Sequence, residues 1–145
     1  MYVSDLIKVK GRDVVTVSPE QTLAQAAALL AKARIGAVVV LGGGRIAGIL
    51  SERDIVRRLA SDGADALALT VADAMTADVI TCTMAETVEA MMQRMSEGKF
   101  RHLPVVDESG GMIGVISIGD VVRARVESYE AEARAMRDYV SAVSG

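Results

Sequence analysis

Two short stretches of the chain place a Ser and an Asp three residues apart, residue types that can bind a nucleotide. Gly48–Asp54 and Gly114–Asp120 both read Gly, two aliphatic residues, Ser, two variable residues and Asp. As local structure, Ser51 and Ser117 are predicted to be the N-caps of two helices, with each Asp completing a capping box. As a binding site, the free N–H groups of a helix start suit a phosphate, and the carboxylate can accept hydrogen bonds from two ribose hydroxyls. Duplication in a matched context strengthens the second interpretation.

Two basic side chains, Arg101 and His102, stand directly before a run of β-branched residues in the second half of the chain. Arg offers a forked pair of donors to a phosphate, and His adds positive charge if a bound anion raises its pKa. The alternative is a solvated strand end without a ligand. The first half carries Ile35 and Gly36 at the matching positions, so the two halves cannot form chemically equal sites.

The other reactive side chains are few. Thr76 precedes the second half and is interpreted either as a turn or cap residue or as a donor to a ligand oxygen; its counterpart in the first half is Lys8. Cys82 and His102 are the single cysteine and the single histidine of the chain. They make neither a catalytic triad nor a zinc site, which requires three or four ligands. We therefore predict no catalytic residues and no metal.

Composition narrows the class of protein. The chain has 145 residues, 51% of them hydrophobic, which suits one globular domain or two small repeats that share a core. A net charge of −3 and a pI near 5.2 argue against nucleic-acid binding. No apolar run approaches the ~18 residues of a membrane span, and residues 1–5 lack the features of a signal peptide. The sequence predicts a cytoplasmic protein without a membrane segment.

The elements around the two Ser-x-x-Asp stretches recur in the order strand–helix–strand–strand–helix in each half of the chain. Short strands are predicted at Val14–Val17 and Val79–Cys82, and the helices that follow are predicted to be capped by Ser18 and Thr83. In both helices apolar residues recur at i, i+3, i+4 and i+7. Hairpins with short turns then lead to the helices that carry the Ser-x-x-Asp stretches. The whole unit therefore occurs twice.

The edges of the two units add three expectations. Val3–Ile7 and Val71–Met75 each predict a helical turn that leads into a unit, and one extra residue of the second unit falls within Glu97–His102. A charged tail after residue 127 carries an apolar face at helical spacing, formed by Met136, Tyr139, Val140 and Val143. That face is expected to dock on the body of the protein or on a partner subunit.

These motifs together resemble a pair of CBS domains (cystathionine beta-synthase-type domains), as in stand-alone bacterial proteins that carry no attached enzyme. The resemblance rests on the two Gly-to-Asp stretches, on His102–Asp107 before the last hairpin and on Asp73–Thr76 before the second unit, and it covers about residues 2 to 127. It implies an α/β (α+β) fold in which tandem β-α-β-β-α repeats pack about a pseudo-two-fold axis into one module. The repeats would span residues 1–66 and 67–127, with an amphipathic helical tail over 128–145.

The resemblance also implies two clefts between the repeats, in which the Asp of each motif holds ribose hydroxyls and the Ser or Thr lies near ribose or phosphate. The second site would be formed by Thr76, Thr81, Arg101, His102, Ile116, Ser117 and Asp120. The first site would be formed by Thr16, Gly36, Ala37, Ile49, Ser51 and Asp54. The ligands of the family contain adenosine: AMP, ADP, ATP, and sometimes NAD or S-adenosylmethionine.

The first site departs from the family pattern. Val38 stands where Pro104 stands in the second unit, and the basic pair is missing. Charge for a phosphate would have to come from the following helix, from Arg53, Arg57 or Arg58. We therefore expect the second site to bind a nucleotide better.

These features predict a regulatory module with no catalysis and no catalytic cofactor of its own. An adenosine nucleotide in the clefts would change the geometry of a homodimer or of the tail and so signal to a regulated protein. Two alternatives stay open: a nucleotide-processing enzyme, and a structural dimerisation scaffold with empty clefts. Opposite charges are interspersed along the tail, a pattern typical of a solvated helix rather than of a nucleic-acid surface.

Overall fold

The computed structural model describes residues 1–98 and 101–144, and it confirms a mixed α+β fold built from two repeats. The insertion expected within 97–102 falls partly on Lys99 and Phe100, which lie outside the described residues, as does Gly145 at the end of the tail. The elements of the first repeat are α1 (Val3–Lys10), β1 (Thr16–Val17), α2 (Leu23–Ala33), β2 (Ala37–Gly42), β3 (Arg45–Ser51) and α3 (Glu52–Asp62). A 3₁₀ helix (Gly63–Ala68) and α4 (Val71–Ala74) lead to α5 (Val88–Gly98), β4 (His102–Val106), β5 (Met112–Ser117) and α6 (Ile118–Ser144).

Each repeat contains an antiparallel hairpin, β2–β3 in the first and β4–β5 in the second. In the first repeat β1 adds to β2 in parallel and is shorter than the predicted Val14–Val17. In the second repeat the predicted strand Val79–Cys82 is reduced to one parallel bridge between Cys82 and Val105. Thr81 belongs to this predicted strand, but its carbonyl accepts a hydrogen bond from a side chain, the guanidinium of Arg94, at 3.0 Å.

The predicted caps of α2 and α5 are wrong by one turn. The N-cap of α2 is Thr22, whose Oγ1 accepts from a backbone N–H of the helix at 3.2 Å, and Thr87 takes the same role before α5 at 3.1 Å. Ser18 and Gln21 instead close a turn, in which the Ser18 N–H donates to Oε1 of Gln21 at 2.8 Å. The helices begin later because the carbonyls of these turns are already bonded to another segment of the chain.

That segment is the lead-in of the other repeat. The N–H groups of Val71 and Ala72 donate to the turn before α2, at 2.7 and 3.0 Å, and Leu23 donates back to the carbonyl of Leu69 at 2.8 Å. The same three bonds recur before α5, where Val3 and Ser4 are the donors. Each lead-in therefore joins the repeat that it does not directly precede, in keeping with a pseudo-two-fold arrangement.

The two hydrophobic cores show the same exchange. Val3, Leu6 and Ile7 of α1 are buried with the β4, β5 and α5 residues of the second repeat. Val71 of α4 is buried with the β2, β3 and α2 residues of the first. The helical turns that the sequence assigned as entries to their own units thus complete the core of the opposite unit.

The glycine of each Gly-to-Asp stretch lies where a lead-in passes. A methyl group on Gly48 would lie 2.6 Å from the carbonyl oxygen of Thr76 and 2.8 Å from Sδ of Met75. A methyl group on Gly114 would lie 3.0 Å from Cδ1 of Ile7. The motif glycines are therefore explained by close approach of the crossing chain.

Helix α6 runs without interruption from the body into the tail, for 27 residues. Its first turns bury Val121 and Ala124 in the second core, whereas the apolar face expected to dock, including Met136 and Tyr139, is exposed. No helix within the described ranges 1–98 and 101–144 is long and apolar enough to cross a membrane.

We predict that Gly48→Ala lowers the free energy of unfolding by about 1 to 3 kcal/mol, because the methyl group must displace the backbone of Thr76. The matched control is Gly42→Ala on β2, where the nearest atom to the added methyl would be Cγ of Pro19 at 3.4 Å, an ordinary van der Waals contact. Chemical denaturation of both variants measures the difference. Equal stability of the two variants would contradict the crossing contact.

Candidate functional site

A cavity of about 290 Å³ lies between the two repeats. Its lining combines the chain before β1, the strands β2 and β3 of the first repeat, and β4 and β5 of the second: Lys10, Asp13, Val14, Val15, Ile35, Ala37, Val38, Val39, Ile49, His102, Val115 and Ser117. Because most of these side chains are aliphatic, the cavity suits a flat apolar ring. The polar side chains of the lining are Lys10, Asp13, His102 and Ser117. The cavity therefore has an apolar part and a polar part.

The polar part lies beside the capping box of α6. The Ser117 N–H donates to Oδ2 of Asp120 at 2.8 Å, and the N–H of Asp120 donates to Oγ of Ser117 at 3.2 Å. The same reciprocal bonds link Ser51 and Asp54 at the start of α3, at 2.9 and 3.2 Å. Both predicted caps are confirmed, and the reciprocal bonds fix each carboxylate at a helix start.

Asp120 has two further hydrogen-bond partners, and both are basic side chains. Nζ of Lys10 donates to its Oδ2 at 2.7 Å, and Arg123 donates to its Oδ1 at 3.1 Å. Burial alone would raise the pKa of Asp120, but the hydrogen bonds from Lys10 and Ser117 and the charge of Lys10 hold it below its ordinary value. The carboxylate is therefore ionised at neutral pH, and it adds a negative charge next to the cavity, whose own lining includes Asp13.

Lys10 also holds the two halves of the site together. It is the last residue of α1, and its ammonium group donates to the carbonyl of Val115 at 2.8 Å as well as to Asp120. At the corresponding place in the first repeat, Ile49 and Thr76 exchange two backbone hydrogen bonds of 2.9 Å each. A side chain, which can rotate away, thus replaces a backbone bridge on the Asp120 side.

His102 is half-buried in the cavity wall at the start of β4. Desolvation lowers its pKa below the ordinary 6.5, the positive charges of Lys10 and Arg101 lower it further, and only Asp120 acts in the opposite direction. The imidazole is therefore neutral at pH 7. Arg101 is exposed, and its carbonyl accepts from the N–H of Ile118 at 2.8 Å.

The structure brings together predicted residues from both sites. Ala37 and Ile49, which were assigned to the first site, line the same cavity as His102 and Ser117, which were assigned to the second. Ile116 is fully buried in the second core. The first-site residues Gly36 and Thr16 are bonded within the first repeat.

Both residues make their contacts with other residues of the first repeat. The carbonyl of Gly36 accepts from the N–H of Glu52 at 2.9 Å, at the start of α3. Thr16 pairs with Val39 in the sheet. Thr16 is therefore a strand neighbour of a residue in the cavity wall.

The sequence grouped Thr76 and Thr81 with Asp120, and the structure corrects that grouping. Thr76 is bridged to Ile49, on the strand that leads to Asp54, because the second lead-in crosses to the first repeat. Thr81 lies in the following loop, where its carbonyl bonds to Arg94. By the same crossing, the residues that face the Asp120 side come from before β1.

Sequence reasoning missed those residues. The sequence motifs include neither Lys10 nor Asp13, and Val14 and Val15 are predicted only as part of a strand, yet all four line the cavity. The available signal was the repeat itself: if one lead-in crosses, its counterpart must cross too. Lys10 could not be found by matching positions, because no lysine stands at the equivalent place in the second lead-in.

Comparison with known proteins assigns the chain to a family. The CBS domain matches residues 3–61 and again residues 71–127. The chain belongs to the CBS-domain family and carries a pair of these domains. It is 46% identical to a CBS-domain-containing protein, ATU1752 from Agrobacterium tumefaciens, whose crystal structure superimposes with a TM-score of 0.79 over 86% of this chain and 98% of that one.

Other relatives extend the comparison. The CBS domain-containing protein CBSX3, mitochondrial, from Arabidopsis thaliana is 34% identical over 95% of this chain and 71% of its own length. Two similar structures contain ligands: CBSX2 in complex with AMP (25% identity, TM-score 0.75, 88% and 98% of the two chains) and the CBS domain pair of MJ0100 with 5′-methylthioadenosine and S-adenosyl-L-methionine (26%, 0.74, 86% and 98%).

We predict a pH dependence of stability that originates at His102. Because its pKa is lowered in the folded state, the unfolded chain binds the proton first as the pH falls through 6.5, and the folded state loses stability between that value and the lower folded pKa. His102→Gln removes this contribution. Thermal unfolding at pH 7.5 and 5.5 should show a larger loss for the wild type than for the variant, since all other groups titrate in both. An equal loss would show that His102 is not desolvated.

Proposed function

We propose that the protein is a regulatory module that binds an adenosine nucleotide in the cavity between its repeats. The observation that carries this proposal is the pairing of an aliphatic cavity with an ionised carboxylate at a helix start, Asp120 beside Ser117. The aliphatic walls suit adenine, and the carboxylate suits the ribose hydroxyls. The AMP complex of CBSX2 and the two adenosine ligands of MJ0100 support the ligand class.

The remaining groups fit the phosphate end of such a ligand. His102 and Lys10 line the cavity, and Arg101 is exposed next to His102. A phosphate would add negative charge beside three basic residues, which is favourable and would raise the pKa of His102 toward protonation. AMP is the simplest ligand with all three parts, and ADP, ATP and NAD share them.

Binding would change the partners of Lys10. Oδ2 of Asp120 already accepts from Lys10 and from Ser117, so ribose hydroxyls compete with the ammonium group for this oxygen. A displaced Lys10 can pair with the phosphate instead. Because Lys10 ends α1, which is packed in the second core, this exchange couples ligand binding to the body of the module.

The rest of the proposal follows from that coupling. The altered module would act on a regulated protein through the geometry of a homodimer or of the α6 tail, in the cytoplasm and without catalysis of its own. The first-repeat site around Ser51, Asp54 and Thr76, with Thr16 and Gly36 nearby, is proposed as a second and weaker site. Thr81, in the loop that follows Thr76, stays a predicted ligand contact.

We predict that AMP raises the melting temperature of the wild type with increasing concentration and that Asp120→Ala removes most of the effect. Loss of two charge-assisted hydrogen bonds should weaken binding at least about tenfold. Asp54→Ala is the matched control, because it removes the same capping box from the other repeat and should leave AMP binding at the cavity intact. ADP, ATP, NAD and S-adenosylmethionine are titrated in the same way to rank the ligands.

Three results would contradict the proposal. No shift with any of these ligands would favour the scaffold, an alternative supported by the full set of bonds that Asp120 already makes. An equal loss in Asp120→Ala and Asp54→Ala would show that capping, not ligand contact, is affected. Conversion of a bound nucleotide, detected by chromatography after incubation, would favour the enzyme.

The exchange of Lys10 gives a separate prediction. In Lys10→Gln the competing ammonium group is gone, so adenosine should bind as well as or better than to the wild type, whereas AMP should lose its phosphate contact. The ratio of AMP to adenosine affinity, measured by calorimetry, should fall about tenfold. Lys8→Gln, an exposed lysine of the same helix, is the control. Parallel changes for adenosine and AMP would contradict the exchange.

A further inference from the structure

Helix α6 carries one continuous apolar stripe along its outward side. It starts on the body at Val122, which is 48% exposed, and runs along the tail to Val143, which is 68% exposed. The opposite side of the first turns is packed in the second core through Val121 and Ala124. The helix therefore presents one apolar side to the body and a second one outward.

The spacing of the outward stripe is that of a coiled coil. Consecutive members are separated alternately by four and three residues: Val122, Val126, Tyr129, Ala133, Met136, Val140 and Val143. This is a heptad pattern of period 3.5 sustained over three heptads, in which Val126, Ala133 and Val140 are the a positions. Two of the three a positions carry the β-branched residue that parallel two-stranded coils favour there, while the d positions hold Val, Tyr and Met in place of Leu.

We propose that the α6 tails of two copies of this chain pair in parallel and in register as a two-stranded coiled coil. The inference does not depend on what the cavity binds. A single straight helix cannot fold back to cover its own stripe, and residues 128–144 extend about 25 Å past the body at 1.5 Å per residue. A second copy supplies the same stripe with the same spacing.

Continuity of the stripe with the body favours the parallel orientation. In parallel pairing Val122 meets Val122 of the second copy, and the stripe is covered from its start to its end. In an antiparallel pairing that buries 126–143, Val126 faces Val143, Val122 is left uncovered, and the two bodies lie at opposite ends. Parallel pairing therefore covers more of the apolar surface that the helix exposes.

The charges beside the stripe fit the same register. In a parallel coil a g residue faces the following e residue of the partner helix, which places Glu132 opposite Arg137 of the second copy on both sides of the pair. The preceding g residue, Arg125, already donates to Glu89 of its own chain at 3.0 Å, so Glu132 and Arg137 are the pair that defines the register. Within one helix these two residues are five apart and do not face each other.

The antiparallel alternative makes different contacts. There e residues face e residues and g residues face g residues, so Arg137 would face Glu130 and Glu132 would face Tyr139. Reversing Glu132 alone would then place no like charges together. Charge reversal at positions 132 and 137 thus separates the two orientations.

The first test is disulfide formation in the full-length chain with a cysteine on the stripe. Tyr129→Cys places a thiol at a d position just beyond the body, and Ala131→Cys places one on the outer side of the same turn as the control. Under mild oxidation Tyr129→Cys should form the covalent dimer at least about ten times faster, because in a parallel coil the two thiols are adjacent. Burial raises the pKa of the native Cys82 to about 12, so this thiol stays protonated and the wild type should remain uncrosslinked.

The second test reverses charges in the Tyr129→Cys background. Glu132→Arg should slow dimer formation about tenfold, because it creates two like-charged contacts, and addition of Arg137→Glu should restore the original rate. Circular dichroism controls for helix content. Rescue by the double reversal requires that the two residues meet across copies in the parallel register.

The other outcomes overturn the proposal. Equal rates for Tyr129→Cys and Ala131→Cys would show that the stripe is not paired in the parallel register, because only that register brings the two copies of residue 129 together. An unaffected rate in Glu132→Arg would show that Glu132 does not meet Arg137 across the two copies and would exclude the parallel register. Loss of the rate in both single variants without rescue in the double variant would exclude the proposed register.

Discussion

The exchange of lead-in segments is the constraint on which the rest of this structure depends. Each repeat lacks one wall of its core and three backbone partners before its first helix, and the segment before the other repeat supplies them. Val3 of α1 and Val71 of α4 donate to equivalent turns at 2.9 and 2.7 Å, and both are fully buried in the opposite core. Because buried backbone groups must be paired, neither repeat can be complete alone. The two small units therefore form one module, and the cavity lined by residues of both lies where they meet.

The two crossings share their backbone bonds before α2 and α5 but differ beside the two Ser-x-x-Asp stretches. On the Asp54 side the second lead-in closes over β3 through two hydrogen bonds between Ile49 and Thr76. On the Asp120 side Lys10 makes the corresponding contact with its ammonium group, to the carbonyl of Val115 and to Asp120. A long flexible side chain can exchange partners at little cost, whereas a backbone bridge cannot. The duplicated fold thus holds one closed and one adjustable connection, which suits a protein that responds to a ligand.

Helix α6 links the cavity to the outside of the molecule. Its N-cap, Ser117, belongs to the second Ser-x-x-Asp stretch, its first turns are packed in the second core, and its outward stripe continues into the tail. Any change at Asp120 therefore occurs at the start of the element that we propose joins two copies. Helices transmit displacement along their axis because every backbone group is bonded within the element. A ligand at the helix start and a partner along its length would then be energetically coupled.

The sequence by itself determined the repeat, the class of fold, the two capping boxes and the chemical character of the candidate residues. These are local properties: Ser51 and Asp54, like Ser117 and Asp120, need only helical geometry to bond each other, and strands and helices follow from apolar spacing. Only the tertiary structure decided which distant residues share a site. Thr76 was matched to Asp120 by order along the chain, but it lies at Ile49, and Lys10 occupies the place beside Asp120. A crossing between repeats leaves no periodic signal in the sequence, because its cause is the pairing of buried backbone groups between segments far apart in the chain, such as Val3 with Glu86 and Val71 with Gln21.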